Sequence, residues 1–216
     1  MAKLTKIFGP PGTGKTYRLL QRVKAYVRTG TPYHQIGYFA FTKKASGVAR
    51  DRVGVSEKQV PYFQTIHAFC FHLLGMNEEQ IMQPYNYEEI GKLLGIRVNY
   101  SDKYNEEQTH YLTCNNPYFQ MIGKAINLDI DIKVIDWGPL KNIASNLKEY
   151  KRINEIMDFN DLIKTLINKK DKIPKLKAIF IDEAQDLSPL QWKLVDILKQ
   201  KTEHLYLAGD DDQAIY

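Results

Sequence analysis

The chain has 216 residues, and its hydrophobic fraction of 44% is enough for one large domain, or two small ones, with a real core. Lysine and arginine outnumber the acids 30 to 25, and the formal net charge of +5 suits a polyanionic partner without requiring one. No apolar window approaches the ~18 residues of a membrane span and no signal-peptide pattern is present, which disfavours membrane and secreted proteins. Cys70 and Cys114 lack metal-site or disulfide spacing, so we expect buried thiols in a cytoplasmic protein with no membrane partner.

The first part of the chain alternates strand and helix patterns. Apolar and aromatic runs predict strands over residues 4–8, 36–41 and 60–63. Helical periodicity predicts helices over residues 15–28, 43–53 and 65–74. This order is typical of a parallel sheet flanked by helices, so we expect an α/β fold.

The run that connects the first predicted strand to the first predicted helix fits the pattern G-x-x-x-x-G-K-[ST]. In such a loop, backbone N–H groups surround nucleotide phosphates, and glycines permit the close approach that a Cβ would obstruct. Lys15 then reaches the β- and γ-phosphates as a point charge, and the Thr16 hydroxyl is placed for Mg²⁺. The predicted nucleotide-binding residues of this loop are Gly9, Pro10, Pro11, Gly12, Thr13, Gly14, Lys15 and Thr16.

Strand signals fade between residues 75 and 150, where helical fragments at 87–94 and 141–150 alternate with breaks rich in asparagine, proline and tyrosine. We expect a mostly helical inserted subdomain here. Its tyrosines either stack on bases or belong to a small core, and their irregular spacing favours the core. They are Tyr85, Tyr87, Tyr100, Tyr104, Tyr111 and Tyr118.

The α/β pattern returns after residue 150 and delivers two adjacent carboxylates. Helices are predicted over residues 159–167 and 189–198, and strands over 178–181 and 205–208. Asp182 and Glu183 follow an apolar strand, at the end where open α/β sheets bind ligands. Successive strand residues point to opposite sides, so the two acids can take different roles. Asp182 is the predicted Mg²⁺ ligand, directly or through water, and Glu183 the base that deprotonates the attacking water.

The last predicted strand is followed by a glycine, three aspartates and Gln213. The amide of Gln213 can donate to a phosphate oxygen and accept from a water, which suits a γ-phosphate sensor. A polar loop tip is the alternative interpretation of this run.

Six segments, taken in order, resemble the motifs of the UvrD/Rep-type superfamily 1 DNA helicases. They are the phosphate loop at 9–16, FTKKA at 41–45, FQTIHAF at 63–69, DFNDL at 158–162, IDEAQD at 181–186 and GDDDQAIY at 209–216. The resemblance covers both flanking stretches and leaves out residues 75–150. It implies a RecA-like ATP-binding domain, formed by residues 1–74 and 151–216, of a motor that moves 3′ to 5′ on single-stranded DNA. Residues 75–150 would be its inserted helical accessory subdomain.

The resemblance also implies roles at the nucleotide. Lys15 and Thr16 would hold ATP phosphates and Mg²⁺, and Asp182 and Glu183 would be metal ligand and catalytic base. Gln185 and Gln213 would couple the γ-phosphate to the DNA site.

A path for single-stranded DNA is implied as well. The residues that would line it are Phe41, Thr42, Thr65 and His67, with Tyr216 near the bases. The residue types agree with this role, because Phe41 precedes the cationic Lys43 and Lys44, and an aromatic ring beside cations can stack a base while attracting phosphates.

Departures from the family pattern concern adenine, DNA and domain content. Tyr17 stands where an arginine usually faces the adenine, and its ring offers stacking instead. Lys43 replaces a usual asparagine and adds positive charge to the DNA path. A glutamine motif before Leu4 and a second RecA-like domain after Tyr216 are absent from this sequence, and we expect that missing domain, with its arginine fingers, to be needed for activity.

Two other functions fit the same motifs. One is the motor of a recombination helicase-nuclease of the AddA or RecB type, which a downstream nuclease domain would identify. The other is a non-catalytic, nucleotide-dependent DNA-binding module.

Overall fold

A computed structural model of the chain describes residues 2–98, 114, 116–135 and 137–210, and only the backbone of Lys133. Five strands in this part of the chain form one parallel sheet in the order β1-β5-β4-β2-β3. They are β1 (Lys3–Phe8), β2 (Ile36–Phe39), β3 (Phe63–Gln64), β4 (Leu176–Ile181) and β5 (Thr202–Gly209). With helices on both faces, the predicted α/β fold, a RecA-like parallel sheet, is confirmed.

Helices α1 and α2 pack on one face of the sheet, and α3, α7 and α8 pack on the other. The α-helices of the described residues are α1 (Lys15–Arg28), α2 (Lys43–Val53), α3 (Ile66–Leu74), α4 (Pro84–Leu93), α5 (Pro117–Asn127), α6 (Gly138–Ile153), α7 (Phe159–Asn168) and α8 (Pro189–Gln200). None of them is long and apolar enough to cross a membrane.

The central strand β4 supplies both apolar layers. Ala178 and Phe180 join the layer beneath α1 and α2, whereas Ile179 and Ile181 join the opposite layer. A strand that is apolar on both faces is typical of a parallel sheet covered by helices.

The strand register brings three segments with predicted functional residues to one edge of the sheet. Phe8 of β1 pairs with Gly209 of β5, and Ile181 of β4 pairs with Leu207 of β5. Because parallel strands run the same way, the segments that follow β1, β4 and β5 leave the sheet side by side. This edge carries the loop at 9–14, Asp182 and the backbone at Asp210.

A third apolar cluster lies among α4, α5 and α6, outside the two sheet layers. Its buried members are Met82, Tyr87, Ile90, Cys114, Phe119, Ile122, Leu140, Ile143, Leu147 and Tyr150. The core interpretation of the tyrosines holds for Tyr87, which is buried, and for Tyr118, which packs against the cluster, but not for the exposed Tyr85. Tyr100, Tyr104 and Tyr111 lie outside the described residues. Helix α5 has no counterpart among the helices predicted from sequence.

Two of the predicted strands are shorter in the structure. Only residues 63–64 of the third strand form, because the preceding residues make local turns, in which the Val60 N–H donates to the Glu57 carbonyl at 3.2 Å. The second strand stops at Phe39 rather than at residue 41. The chain turns there into α2, whose first turn is capped by the Thr42 hydroxyl accepting from the Ala45 N–H at 3.0 Å.

Candidate nucleotide site

The loop at 9–14 has a backbone that only glycine adopts easily. Gly12 and Gly14 have φ of 82° and 79°, in the left-handed region. A Cβ on Gly9 would lie 2.9 Å from the Thr13 Oγ1, which in turn donates to the Pro10 carbonyl at 2.8 Å. The loop therefore closes tightly on itself before α1 begins.

Lys15 lies over this loop at the start of α1. Its side chain is folded back, so that Nζ donates to the Gly9 carbonyl and, at 3.1 Å, to the Pro10 carbonyl, and only 8% of the residue is exposed. The first turn of α1 contains no acidic residue. A helix N-terminus carries free N–H groups and a partial positive charge, so the loop, the ammonium and α1 together form an anion-binding corner.

Asp182 is buried at the end of β4, where only 6% of it is exposed. Its Oδ2 accepts from the Tyr38 hydroxyl at 2.8 Å, and its Oδ1 accepts from the Glu183 N–H at 3.2 Å. Burial raises the pKa of the Asp182 carboxyl above its ordinary value, and the hydroxyls of Tyr38 and Thr16 oppose that shift. The residues predicted to meet at a metal, Thr16 and Asp182, are therefore neighbours.

The donor types at this point fit Mg²⁺. One hydroxyl and one carboxylate are hard oxygen ligands, and Mg²⁺ is usually held by one or two carboxylates together with substrate phosphates and water. Thr16 and Asp182 would supply the protein share of such a site, beside the phosphate corner formed by Lys15.

Glu183 and Gln185 connect the end of β4 to the end of β5. Glu183 adopts the left-handed region with φ of 52°, and its Oε2 accepts from the Gln185 Nε2 at 2.8 Å. The same amide accepts from the Asp210 N–H at 3.0 Å through its Oε1. Gly209 leaves room for this contact, since a Cβ there would lie 2.8 Å from the Gln185 Oε1. A strained non-glycine residue held by hydrogen bonds is typical of functional sites.

Tyr17, the predicted adenine contact, lies in the first turn of α1 and is 61% exposed. Its ring is accessible to a base next to the phosphate corner. Gln213, predicted as a sensor, lies outside the described residues.

The predicted DNA-path residues follow β2 and β3, which are adjacent because Phe39 pairs with Gln64. Phe41 is 40% exposed. Thr42 and Thr65 cap α2 and α3, the latter by accepting from the Ala68 N–H at 3.2 Å. The structure therefore brings the two segments together at one edge of the sheet.

Two further DNA-path residues are exposed or half-buried near the same edge. Lys43 is exposed at the start of α2. His67 is half-buried and packs edge-on against Phe159 of α7, with ring centroids 5.3 Å apart, so it also has a structural contact. Tyr216 lies outside the described residues.

Sequence reasoning missed one residue of this site, Tyr38. Its hydroxyl reaches Asp182 across 144 positions of sequence. The only local signal for this contact is a tyrosine within an otherwise apolar strand. That signal becomes informative only when β2 is known to pair with β4, the strand that ends at Asp182.

Comparisons with known proteins agree with these motifs. A family model described as UvrD/REP helicase N-terminal domain matches residues 2–216. The ATP-dependent DNA helicase PcrA of Staphylococcus epidermidis is 28% identical in an alignment 242 residues long, gaps included. That alignment covers 97% of this chain and 31% of that protein. The protein of the same name from Staphylococcus aureus is 27% identical over 235 residues, with the same two shares. The chain thus spans less than a third of these relatives' length, and it belongs to the UvrD/REP helicase family through its match to the N-terminal domain.

Proposed function

We propose that this chain is the N-terminal ATP-binding region of an ATP-dependent DNA helicase, which couples ATP hydrolysis to 3′-to-5′ movement on single-stranded DNA. The observation that carries the proposal is the meeting of Lys15, the Thr16–Asp182 pair and the Glu183–Gln185 pair at one edge of the sheet. This edge supplies phosphate binding, oxygen donors for Mg²⁺ and a carboxylate next to them. The relatives carry the name of ATP-dependent DNA helicases, which agrees with this chemistry.

Each group has a distinct role in this proposal. Lys15 leaves the loop carbonyls and binds the β- and γ-phosphates, which it neutralises as a point charge. Thr16 and Asp182 would hold Mg²⁺, which would supply charge stabilisation at the phosphates. Glu183 accepts the proton of the attacking water, and Gln185 holds the Glu183 carboxylate while contacting the end of β5. Tyr17 stacks on the adenine.

The DNA side of the proposal rests on the segments after β2 and β3. Phe41 offers an exposed ring for base stacking, and Lys43 offers positive charge for the phosphates. Thr42, Thr65 and His67 complete the track, and the direction of movement is taken from the family resemblance.

We divide the chain as the sequence predicts, into an ATP-binding domain at residues 1–74 and 151–216 and an inserted helical subdomain at 75–150. The separate apolar cluster among α4, α5 and α6 supports this division. The buried thiols of Cys70 and Cys114 support a reducing, cytoplasmic location.

DNA-stimulated ATP hydrolysis by the full-length protein tests the function. The unmodified protein should hydrolyse ATP faster when single-stranded DNA is added. Glu183→Gln should keep ATP binding and lower turnover roughly 10²- to 10⁴-fold, the usual contribution of a positioned base. The control is Glu79→Gln, which changes an exposed acid outside the candidate site. This variant should hydrolyse ATP normally. Unchanged turnover in Glu183→Gln would refute the base assignment, and turnover indifferent to DNA would refute the motor.

A further inference from the structure

Tyr38 of β2 is a buried residue whose hydroxyl contacts the candidate metal ligand. The residue is 1% exposed, and its ring stacks on Phe63 with centroids 5.4 Å apart. The apolar layer beneath α1 and α2 surrounds the ring. Because the ring is held on all sides, the hydroxyl has a fixed position, 2.8 Å from the Asp182 Oδ2.

We propose that Tyr38 is a positioning residue for Mg²⁺ binding, which orients the Asp182 carboxylate toward Thr16. This inference rests on the proposed function, because it assigns Tyr38 to the same nucleotide site. In this role Tyr38 acts through its hydrogen bond to Asp182 rather than by binding the metal or the nucleotide itself.

The hydrogen bonds of Asp182 explain why such a residue is useful. The terminal torsion of an aspartate side chain is broad, so a carboxylate at a strand end can rotate. Here the Tyr38 hydroxyl holds Oδ2 and the Glu183 N–H holds Oδ1, which fixes the plane of the carboxylate. Mg²⁺ demands near-ideal octahedral geometry, so a fixed plane lowers the cost of forming the site.

The backbone reinforces the same contact. The Asp182 N–H donates to the Phe39 carbonyl at 2.9 Å, one residue after Tyr38 in β2. Asp182 is therefore joined to β2 through both its main chain and its side chain. A purely structural role would require only that the buried hydroxyl find some acceptor. The positioning role makes a further demand, because the affinity for Mg²⁺ must fall when the Tyr38 hydroxyl is removed.

The test compares Tyr38→Phe with Tyr26→Phe in the purified chain. Both changes delete one tyrosine hydroxyl beneath the same sheet face, but the Tyr26 hydroxyl contacts His204, at 3.0 Å, and not the site. ATP binding is measured by calorimetry across a Mg²⁺ titration and, separately, in excess EDTA. Tyr38→Phe should raise the half-saturating Mg²⁺ concentration about 10-fold, the change expected from losing a hydrogen bond to a charged group. ATP binding in EDTA should not change, and Tyr26→Phe should match the unmodified chain in both measurements.

Replacing Tyr38 by 4-aminophenylalanine, which keeps a donor at the ring tip, should restore most of the Mg²⁺ affinity. An unchanged Mg²⁺ requirement in Tyr38→Phe would overturn the proposal, as would loss of folded structure in that variant, which would make the role structural. Asp182→Asn separates failure of the positioning role from failure of the proposed metal site. If Asp182→Asn weakens Mg²⁺ binding while Tyr38→Phe does not, only the positioning role is wrong, and if neither does, the proposed metal site is wrong as well.

Discussion

At the residue scale, Lys15 lies over the loop that we propose binds phosphate. Its ammonium is buried against the Gly9 and Pro10 carbonyls and has no acidic partner among the described residues. Neutral carbonyls hold a cation less strongly than phosphate oxygens do, so the lysine can exchange one set of oxygens for the other. The cation is therefore positioned without being neutralised.

We expect Lys15→Ala to bind ATP at least ~30-fold more weakly, since removing one member of a buried charge pair typically costs about 2–5 kcal/mol. The apolar core does not include Lys15, so the variant should stay folded. Arg28→Ala, at the opposite end of the same helix, is the control. Isothermal titration with ATP measures the difference, and native affinity in Lys15→Ala would contradict the phosphate-loop assignment.

The two adjacent acids should behave differently on conversion to amides. Asp182→Asn should weaken the Mg²⁺ dependence and the binding of ATP together, because it removes the charge next to Thr16. Glu183→Gln should leave both unchanged. The measurement is ATP affinity at several Mg²⁺ concentrations. A variant Asp182→Asn that loses only turnover, with normal metal dependence, would exchange the two roles.

At the scale of elements, an ion cluster around the buried Lys151 joins α6 to α7. Nζ of Lys151, near the end of α6, lies 2.8 Å from the Asp158 Oδ2 and 2.5 Å from the Asp161 Oδ2. Asp158 also caps α7 by accepting from the Asp161 N–H at 2.9 Å. Burial by itself lowers the pKa of Lys151, but the two carboxylates raise it above its ordinary value. This cluster fixes where the helix of the third apolar cluster meets the sheet-covering helix α7.

We expect Lys151→Met to lower the free energy of unfolding by up to about 3–5 kcal/mol, because it leaves two partly buried carboxylates without a counter-charge. Arg152→Met is the matched control. It removes the neighbouring ion pair with Glu149, whose two side chains are both exposed, and should have a far smaller effect. Urea denaturation compares the two variants. Equal losses would show that the Lys151 cluster has no special part in joining α6 to α7.

At the scale of the whole molecule, a single sheet edge carries both the candidate nucleotide site and the candidate DNA path. The phosphate loop, Asp182 and Asp210 follow β1, β4 and β5, while Phe41 and Thr65 follow β2 and β3. Since β4 lies between β5 and β2, Asp182 stands between the two sets. The candidate nucleotide site is therefore next to the candidate DNA path, and the main-chain hydrogen bonds of the sheet connect the two.

We expect the chain to bind single-stranded DNA weakly, with affinity that falls as salt rises. For single strands the log–log slope is about −0.7 per neutralised phosphate, so a slope near zero would mean that the basic residues do not form the track. Fluorescence anisotropy at several salt concentrations gives the slope.

Phe41→Ala should weaken that binding by ~1–3 kcal/mol if one base is fully stacked on the ring. Tyr85→Ala, which removes an exposed aromatic near the third apolar cluster, should leave it unchanged. The reverse result would move base stacking from the sheet edge to the helices of residues 75–150.

Local interactions explain how much of the fold and site the sequence predicts. The bounds of α1 and α2 agree with prediction, because glycine geometry at Gly14 and the Thr42 cap act within a few residues of each helix start. The predicted phosphate loop is likewise a contiguous motif, so it could be proposed before any strand was paired. The short β3 was not predictable in this way, since its apolar run competes with turns at residues 56–60.

By itself, therefore, the sequence determined the class of fold and the starts of α1, α2, α7 and α8, which depend on neighbours a few positions away. Tertiary structure alone decided the strand order, the contact of Tyr38 with Asp182, and the bridge from Gln185 to Asp210, 25 positions apart. These contacts join residues on different strands, and the pairing and register of those strands come from burying two apolar layers at once. The local sequence pattern does not predict such contacts, because they depend on how the whole sheet assembles.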